Sequence, residues 1–232
     1  MQPRFVKPKV IVIYGPPGAG KGTQADLTAR YFGFTHFDTG KYLESLVHDP
    51  VALKSAEVRR ERTLFDTGKL LSTSWVLKVV GLRMEEIARA GLGLVLSGSP
   101  RTVSEAKNLL PIMKKLYGRK NMLFFLLKVS PETSIKRNSS RLICSVCGSP
   151  LLRVMGTENF TTYNPCPFCG GKLVKRTLDR PSIIRDRLVE FNLKTLPVFT
   201  AIRKDGYRVV EIKGDALPFK VFNSVKKEIM KV

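Results

Sequence analysis

The sequence predicts an α/β protein in which a central parallel β-sheet is covered by helices on both faces. The first observation is the apolar, largely β-branched run VIVIY at positions 10–14, which is typical of a buried parallel strand. The second is the alternation of further apolar runs with helical patterns, and the third is the glycine-rich turn GPPGAGKGT after the first strand. Together they favour a three-layer sandwich that binds ligands beyond the carboxyl ends of its strands.

The alternation extends along the whole chain. Further strands are predicted at residues 93–96, 122–129 and 207–212. Helices are predicted from Lys21 onward and at residues 75–90, 104–117, 131–139, 183–203 and 220–232. Two stretches interrupt this order, a polar helical one at 38–71 and one rich in Gly, Pro, Thr and Cys at 140–179. We interpret both as insertions, which assigns residues 1–37, 72–139 and 180–232 to the core.

The composition is that of a folded protein with an unusual charge. Hydrophobic residues make up 43% of the 232 residues, which excludes intrinsic disorder through low hydrophobicity. The 40 Lys and Arg residues outnumber the 19 Asp and Glu residues, and the net charge of +21 favours polyanionic partners. The apolar run at 10–14 is too short for a signal peptide or a membrane span. We therefore expect a cytoplasmic protein that does not enter the membrane.

The turn after the first strand has the pattern of a phosphate-binding loop (P-loop). Its G-x-x-x-x-G-K motif ends at Lys21, directly after a strand and at the start of a helix. The glycines let backbone N–H groups turn towards a polyphosphate, the helix N-terminus adds its dipole, and Lys21 can reach the β and γ phosphates. The residues predicted to bind the triphosphate are Gly18, Ala19, Gly20, Lys21, Gly22 and Thr23.

All four cysteines lie in the second insertion as two C-x-x-C pairs, each followed by a glycine. In a reducing compartment this spacing favours metal thiolates, although two disulfides stay an alternative. Four thiolates complete a tetrahedral shell and leave no open position, so we expect a structural Zn²⁺. The predicted ligands are Cys144, Cys147, Cys166 and Cys169.

The motifs resemble those of the nucleoside monophosphate (NMP) kinases, in particular the adenylate kinases, whose loop reads G-x-P-G-x-G-K-G-T-Q. The segments FDTG at 37–40, GKLL at 68–71 and GSPRT at 98–102 are similar to the family's S-T-G, G-K-L-V and G-F-P-R-T motifs. The family's lid arginines and the arginine of the following helix have counterparts in Arg137, Arg141, Arg176 and Arg187, with Asp179 beside Arg176. The resemblance covers the length of the chain and includes the zinc-bearing lid of many bacterial adenylate kinases.

The resemblance implies that residues 38–71 bind a nucleoside monophosphate and that residues 140–179 form a lid. It implies transfer of a phosphoryl group from Mg²⁺-ATP to the monophosphate, with AMP favoured, by a monomeric enzyme. Arginines suit this chemistry because their planar fork neutralises phosphate charge at any working pH. The catalytic residues would be Lys21, Arg101, Arg141, Arg176 and Arg187. ATP would also contact Arg141 and Ala216. AMP would contact Thr39, Gly40, Lys69, Leu70, Leu71, Gly98, Arg101, Glu105, Arg176 and Arg187.

Several residues depart from the family pattern, mostly on the acceptor side. Glu44 replaces an arginine that holds the monophosphate, and Lys41 or the basic residues of 59–62 are alternative sources of that cation. Glu105 replaces a glutamine that faces the acceptor base, and an ionised carboxylate only accepts hydrogen bonds, which suits guanine better than adenine. Ser97 replaces a metal-orienting aspartate, and Leu178 replaces a lid acid.

Three alternatives to an adenylate kinase therefore stay open. One is a guanylate-type or other NMP kinase with altered acceptor specificity. Another is a nucleic-acid-binding P-loop protein whose zinc ribbon and basic surface bind RNA without kinase turnover. The cysteine-rich segment offers only Phe160, Tyr163 and Phe168 for base stacking, so the kinase is the preferred interpretation. The third is a degenerate kinase that binds nucleotide without turnover.

Overall fold

The structure, a computed structural model, describes residues 9–151, 165–175 and 177–231. Its main sheet consists of β1 (Val10–Tyr14), β2 (Thr35–Asp38), β3 (Leu94–Ser97), β4 (Met122–Lys128) and β8 (Val209–Lys213). The strands are parallel and lie in the order β2-β3-β1-β4-β8. A smaller antiparallel sheet, in the order β6-β5-β7, consists of β5 (Leu142–Cys144), β6 (Pro150–Leu151) and β7 (Leu173–Val174). The predicted α/β class with a central parallel sheet is confirmed.

The α-helices of the described residues are α1 (Lys21–Phe32), α2 (Thr39–Val47), α3 (Ala56–Asp66), α4 (Thr73–Arg89), α5 (Val103–Tyr117), α6 (Pro131–Ser139), α7 (Pro181–Glu190), α8 (Leu196–Lys204) and α9 (Pro218–Ile229). The single helix predicted at 183–203 is instead α7 and α8, joined by a turn of π-helix at Phe191–Thr195. Pro197 explains part of this break, because it has no N–H to continue the α-helical ladder. None of the described helices is long and apolar enough to cross a membrane.

The central sheet buries apolar side chains on both faces. Ile11 and Ile13 pack with residues of α1 and α9 on one face, whereas Val10, Val12 and Tyr14 pack with residues of α4, α5 and α8 on the other. Each of these strand residues is at most 3% exposed. Burial of such a side chain contributes about 1.5–3 kcal/mol, so β1 is a rigid support for the loop that follows it.

Strand β2 was not predicted, because its four residues, THFD, lack a continuous apolar run. It lies at the sheet edge and is only partly buried. Its pairing with β3 aligns Asp38 with Ser97, so both residues stand at the carboxyl end of the sheet. A missed edge strand therefore contributes residues to the end of the sheet where the phosphate loop lies.

The two stretches predicted to be insertions have local structure of their own in the described residues. In the first, the buried Glu61 of α3 accepts a hydrogen bond from Ser72 N–H at 2.8 Å, which ties α3 to the start of α4. In the second, the described strands form their own small sheet, as expected for an insertion without a central strand. The boundaries at 38–71 and 140–179 stay predictions.

Candidate nucleotide-binding and metal-binding sites

The glycine loop between β1 and α1 is shaped by its contacts with the protein. Gly18 has φ +75°, and a β-carbon there would lie 2.9 Å from Ser134 O, so a larger residue does not fit. The Ser134 hydroxyl donates to Pro17 O at 2.5 Å, and α6 therefore supports the loop from outside. Ala19 of the loop is buried, while Lys21, Gly22 and Thr23 begin α1. The predicted strand, loop and helix context of the motif is present.

One cleft beyond the carboxyl ends of the central strands gathers several predicted site residues. Its lining includes Lys21, Leu70, Gly98, Arg101 and Arg187. It also includes four residues that sequence reasoning did not assign to the site, namely Tyr14, Glu190, Phe191 and Thr195. Three basic side chains from distant parts of the chain therefore share one cleft with the phosphate loop. That arrangement is suited to a bound group carrying several negative charges.

Arg101 is held in this cleft by its surroundings. Its Nε donates to Gly98 O at 2.6 Å, and its own carbonyl accepts from the Thr195 hydroxyl at 2.9 Å. Gly98 has φ +102°, and a β-carbon there would lie 2.5 Å from the Thr39 hydroxyl, which donates to Ser97 O. The predicted residues Thr39, Gly98 and Arg101 thus form one packed unit at the end of β3.

Lys21 lies against the loop in a strongly electropositive environment. Its Nζ donates to Gly15 O at 2.8 Å and to Pro16 O at 3.0 Å. Burial, followed by the charges of Arg101 and Arg187, lowers the pKa of Lys21 to about 7. A phosphate group beside Lys21 would offset this repulsion and favour the charged ammonium.

Glu105 completes the start of α5. Its N–H donates to the N-cap hydroxyl of Thr102 at 3.1 Å, and its Oε2 accepts from Arg101 N–H at 2.8 Å. Burial raises the pKa of Glu105, although the Arg101 N–H and the Arg101 charge oppose this effect. One carboxylate oxygen is therefore committed to the backbone of the arginine that follows the cis Ser99–Pro100 peptide.

The lining of this cleft does not include the other residues predicted to contact the donor nucleotide, and two lid arginines have partners within the protein. Arg141 forms a two-point ion pair with the buried Asp179, with Nη2–Oδ1 and Nε–Oδ2 distances of 2.6 and 3.0 Å. Arg137 donates to the carbonyls of Gly214 and Asp215 and so holds the exposed loop that contains Ala216. The predicted catalytic residue Arg176 lies outside the described residues.

On the acceptor side, α2 begins at Thr39 and carries Gly40 and Glu44. Lys69 is exposed, and Leu71 packs against the core. The basic residues considered as replacement cations have local partners instead: Arg59 donates to two carbonyls, Arg60 to Ser72 and Arg62 to Asp66. Lys41 is exposed near the start of α2. The local pairings make the 59–62 cluster a poor source of the acceptor cation.

A polar chain at the ends of β2 and β3 was also missed. The His36 ring is hydrogen-bonded through Nδ1 to Asp26 at 2.7 Å and through Nε2 to the Ser97 hydroxyl at 2.8 Å. One oxygen of the Asp38 carboxylate caps α2 by accepting from Lys41 N–H. The other lies 4.0 Å from the point that a β-carbon on Gly22 would occupy. Asp38 therefore presents a carboxylate towards the start of α1, where the phosphate loop ends.

The four cysteine sulfurs form a compact cluster, and all of them lie within 4.8 Å of one another. The Cys144–Cys169 and Cys147–Cys166 sulfur distances are 3.4 and 3.8 Å. The two C-x-x-C turns match, since Gly148 N–H donates to Cys144 O as Gly170 N–H donates to Cys166 O. Tetrahedral zinc with Zn–S bonds of about 2.3 Å places sulfurs about 3.8 Å apart, so this cluster fits a zinc ion.

The parallel sheet, the loop and the convergent basic side chains define a P-loop protein built for phosphoryl transfer. A family model described as adenylate kinase matches residues 13–207. Adenylate kinase of Petrotoga mobilis is 32% identical over 209 residues, covering 88% of this chain and 89% of the relative. That of Pelobacter propionicus is 34% identical over 190 residues, covering 81% and 82%. That of Chlamydia pneumoniae is 28% identical over 229 residues, covering 98% and 100%. The chain belongs to the adenylate kinase family and is a phosphotransferase of the NMP kinase type.

Proposed function

We propose that this protein catalyses reversible phosphoryl transfer from Mg²⁺-ATP to AMP, giving two ADP. The observation that carries the proposal is the convergence of Lys21, Arg101 and Arg187 on one cleft beside the glycine loop. Family membership supports the choice of ATP and AMP. We keep from the sequence the expectation of a cytoplasmic monomer.

The proposed chemistry needs positioning and charge neutralisation more than covalent help. The loop and Lys21 would hold the donor phosphates, whereas Arg101 and Arg187 would neutralise charge on the acceptor and on the group in transfer. Arg141 is paired with Asp179 in this structure. We propose that the lid carries Arg141 and Arg176 to the phosphates when it closes, which also keeps water from the reacting group.

The experiment that tests this function is a coupled assay of the purified protein. Mg²⁺-ATP is supplied with AMP, GMP, CMP or UMP, and kcat/KM is measured for each acceptor. We expect AMP to give the highest value. A preference for GMP would identify the alternative acceptor that Glu105 suggests, and binding of ATP without turnover of any acceptor would identify a nucleotide-binding protein that is not a kinase.

Replacing Glu105 by glutamine should raise the ratio of AMP to GMP use by about 5- to 150-fold. A glutamine amide supplies a donor that adenine N1 can use, and a mismatched buried polar group costs about 1–3 kcal/mol. The amide oxygen can still accept from Arg101 N–H, so the start of α5 is preserved. The measurement is kcat/KM for both acceptors in the two proteins. An unchanged ratio would show that Glu105 acts through the Arg101 backbone alone and does not face the base.

Magnesium would enter with ATP as part of the substrate, and Asp38 is the carboxylate placed to meet it. Asp38 and Ser97 are neighbours in the register of β2 and β3. The family's metal-orienting acid is absent at Ser97, whose hydroxyl is bonded to His36. We propose that Asp38 supplies this carboxylate from the adjacent strand, because carboxylates are preferred partners of hydrated Mg²⁺. Without a metal ion between them, the negative charge of Asp38 would repel the phosphates of ATP.

Mg²⁺ should raise the affinity of the wild-type protein for ATP, and replacing Asp38 by serine should lower this gain in affinity about tenfold. A loss of this size is typical when a group that orients a metal shell is removed. Serine keeps a side chain able to cap α2. The double variant Asp38→Ser/Ser97→Asp returns the carboxylate to β3 and should recover most of the loss. Calorimetric titration of ATP at several Mg²⁺ concentrations measures this effect. Equal Mg²⁺ dependence in wild type and Asp38→Ser would contradict the assignment.

We also propose that Cys144, Cys147, Cys166 and Cys169 bind one structural Zn²⁺. The support is the separation of their sulfurs and the matching turns on which the two pairs lie. When bound, zinc would crosslink the two turns and stabilise an insertion too small to build its own core. Four protein thiolates would leave the ion no position for substrate, so its contribution is to folding.

A further inference from the structure

Tyr14 ends the first strand with a phenol in an otherwise aliphatic run. Its ring is 3% exposed and packs edge-to-face on Phe199 of α8, with ring centroids 4.7 Å apart. The ring therefore belongs to the core between the sheet and α8. Packing alone does not account for the hydroxyl at the tip of the ring, because a buried hydroxyl normally has a hydrogen-bond partner.

In the part of the chain that the structure describes, the buried Tyr14 hydroxyl has no hydrogen-bond partner. Leaving such a group unpaired costs free energy that a phenylalanine would not incur. Glu105 is close enough for its charge to act on Tyr14. Its Oε2, however, accepts from Arg101 N–H. The fold thus retains a phenol where the neighbouring protein groups do not satisfy it.

Tyr14 lies in the lining of the cleft that also contains Lys21, Gly98, Arg101 and Arg187. Burial, and then the negative charge of Glu105, raise the pKa of Tyr14 well above its usual range. The hydroxyl consequently stays protonated at neutral pH and is available as a donor. The hydrogen-bond acceptor best suited to this strongly basic cleft is a phosphate oxygen of a ligand.

We propose that the Tyr14 hydroxyl donates a hydrogen bond to the phosphate of the acceptor nucleotide. This inference rests on the proposed function for the identity of the acceptor. The donor phosphates are served by the loop and Lys21, which line the same cleft. The charged group that acts on Tyr14 is Glu105, which was assigned to the acceptor together with Gly98 and Arg101. The Tyr14 hydroxyl, a neutral hydrogen-bond donor, would partly compensate for the loss of the family's arginine at the position of Glu44.

The test is Tyr14→Phe, which keeps the ring and its packing on Phe199 and removes only the hydroxyl. We expect the Kd for AMP to rise about tenfold, with an equal fall in kcat/KM for AMP. The Kd for ATP should stay within about twofold of wild type. The melting temperature without nucleotide should be unchanged or higher, because the hydroxyl removed has no partner.

The matched control is Tyr117→Phe on α5. The Tyr117 hydroxyl donates to Leu92 O at 3.1 Å, outside the cleft. This variant should show a lower melting temperature and unchanged affinity for both nucleotides. The two variants therefore distinguish a hydroxyl whose hydrogen-bond partner lies within the protein from one whose partner is a ligand.

Equilibrium binding keeps this test distinct from the test of function. Affinity for AMP is measured by calorimetry, so the inference can be judged even in a protein without turnover. Unchanged AMP affinity in Tyr14→Phe would overturn it, as would a loss of ATP affinity larger than the loss of AMP affinity. A melting temperature lowered as much as in Tyr117→Phe would also overturn it, because the hydroxyl would then have a partner within the protein.

Discussion

Replacing Lys21 by methionine should lower kcat/KM for phosphoryl transfer by about 10³-fold or more while the protein stays folded. A single preorganised donor at a developing charge contributes a factor of about 10²–10³ in rate. Lys21 supplies a full positive charge, which another group in the site cannot easily replace. Methionine is one atom shorter than lysine and keeps an unbranched apolar stem, so the loop between β1 and α1 keeps most of its packing. The measurement is the coupled assay with Mg²⁺-ATP and AMP.

The fold of this variant can be checked separately. The ammonium of Lys21 is unfavourable in this structure, since burial and nearby arginines lower its pKa to about 7. Its loss removes this unfavourable charge and also two hydrogen bonds, to Gly15 O and Pro16 O, so the melting temperature should stay close to that of wild type. Lys78→Met, at an exposed position on α4, is the control and should retain wild-type turnover. Normal turnover by folded Lys21→Met protein would disprove the mechanism.

Zinc should be present at about one ion per chain, and its removal should unfold the cysteine-rich segment but not the core. Structural zinc in small domains contributes apparent binding energies of about 10–16 kcal/mol at pH 7, far more than two short strand pairs can replace. Metal analysis gives the stoichiometry. Hydrogen exchange then reports protection in the segments 142–151 and 165–175, which should be lost, and in β1 and β4, which should persist.

The double variant Cys144→Ser/Cys166→Ser should reproduce the effect of removing zinc with a chelator, because it removes one thiolate from each pair. Turnover should fall at least about tenfold in both cases, since Arg141 directly precedes β5 and its placement depends on an ordered cysteine-rich segment. Restoring Zn²⁺ to the stripped wild type should recover both protection and turnover, whereas the double variant should not respond. Native protein without zinc and with four reactive thiols would contradict the metal assignment.

The sheet could largely be predicted from the sequence, because its central strands are continuous apolar runs and its loop has a specific motif. The edge strand β2 could not, since a short, half-buried edge strand leaves no periodic signal. The π-helical turn at Phe191–Thr195 was also missed. Its only trace was Pro197, yet this turn places the Thr195 hydroxyl on Arg101.

The same division holds for the site. Lys21, Gly98 and Arg101 could be found because they lie within recognisable motifs. Tyr14 could not, because a tyrosine after VIVI resembles any other apolar strand residue until the environment of its hydroxyl is known. Asp38 lies in the segment FDTG, which is recognisable from the sequence. Its proposed role depends on its position beside Ser97 in the sheet, and strand order could not be derived from periodicity.

The ion pair between Arg141 and Asp179 has a consequence for replacing the segment between these two residues. It fastens the two stems of the cysteine-bearing segment to each other at the edge of the core. With the two stems joined in this structure, the length of the peptide between them has only a small effect on the stability of the core, since the cost of closing a loop grows only slowly with its length. Peptides of other lengths can therefore be exchanged at this junction, and chimeras cut just inside Arg141 and Asp179 would measure how far the core tolerates such an exchange.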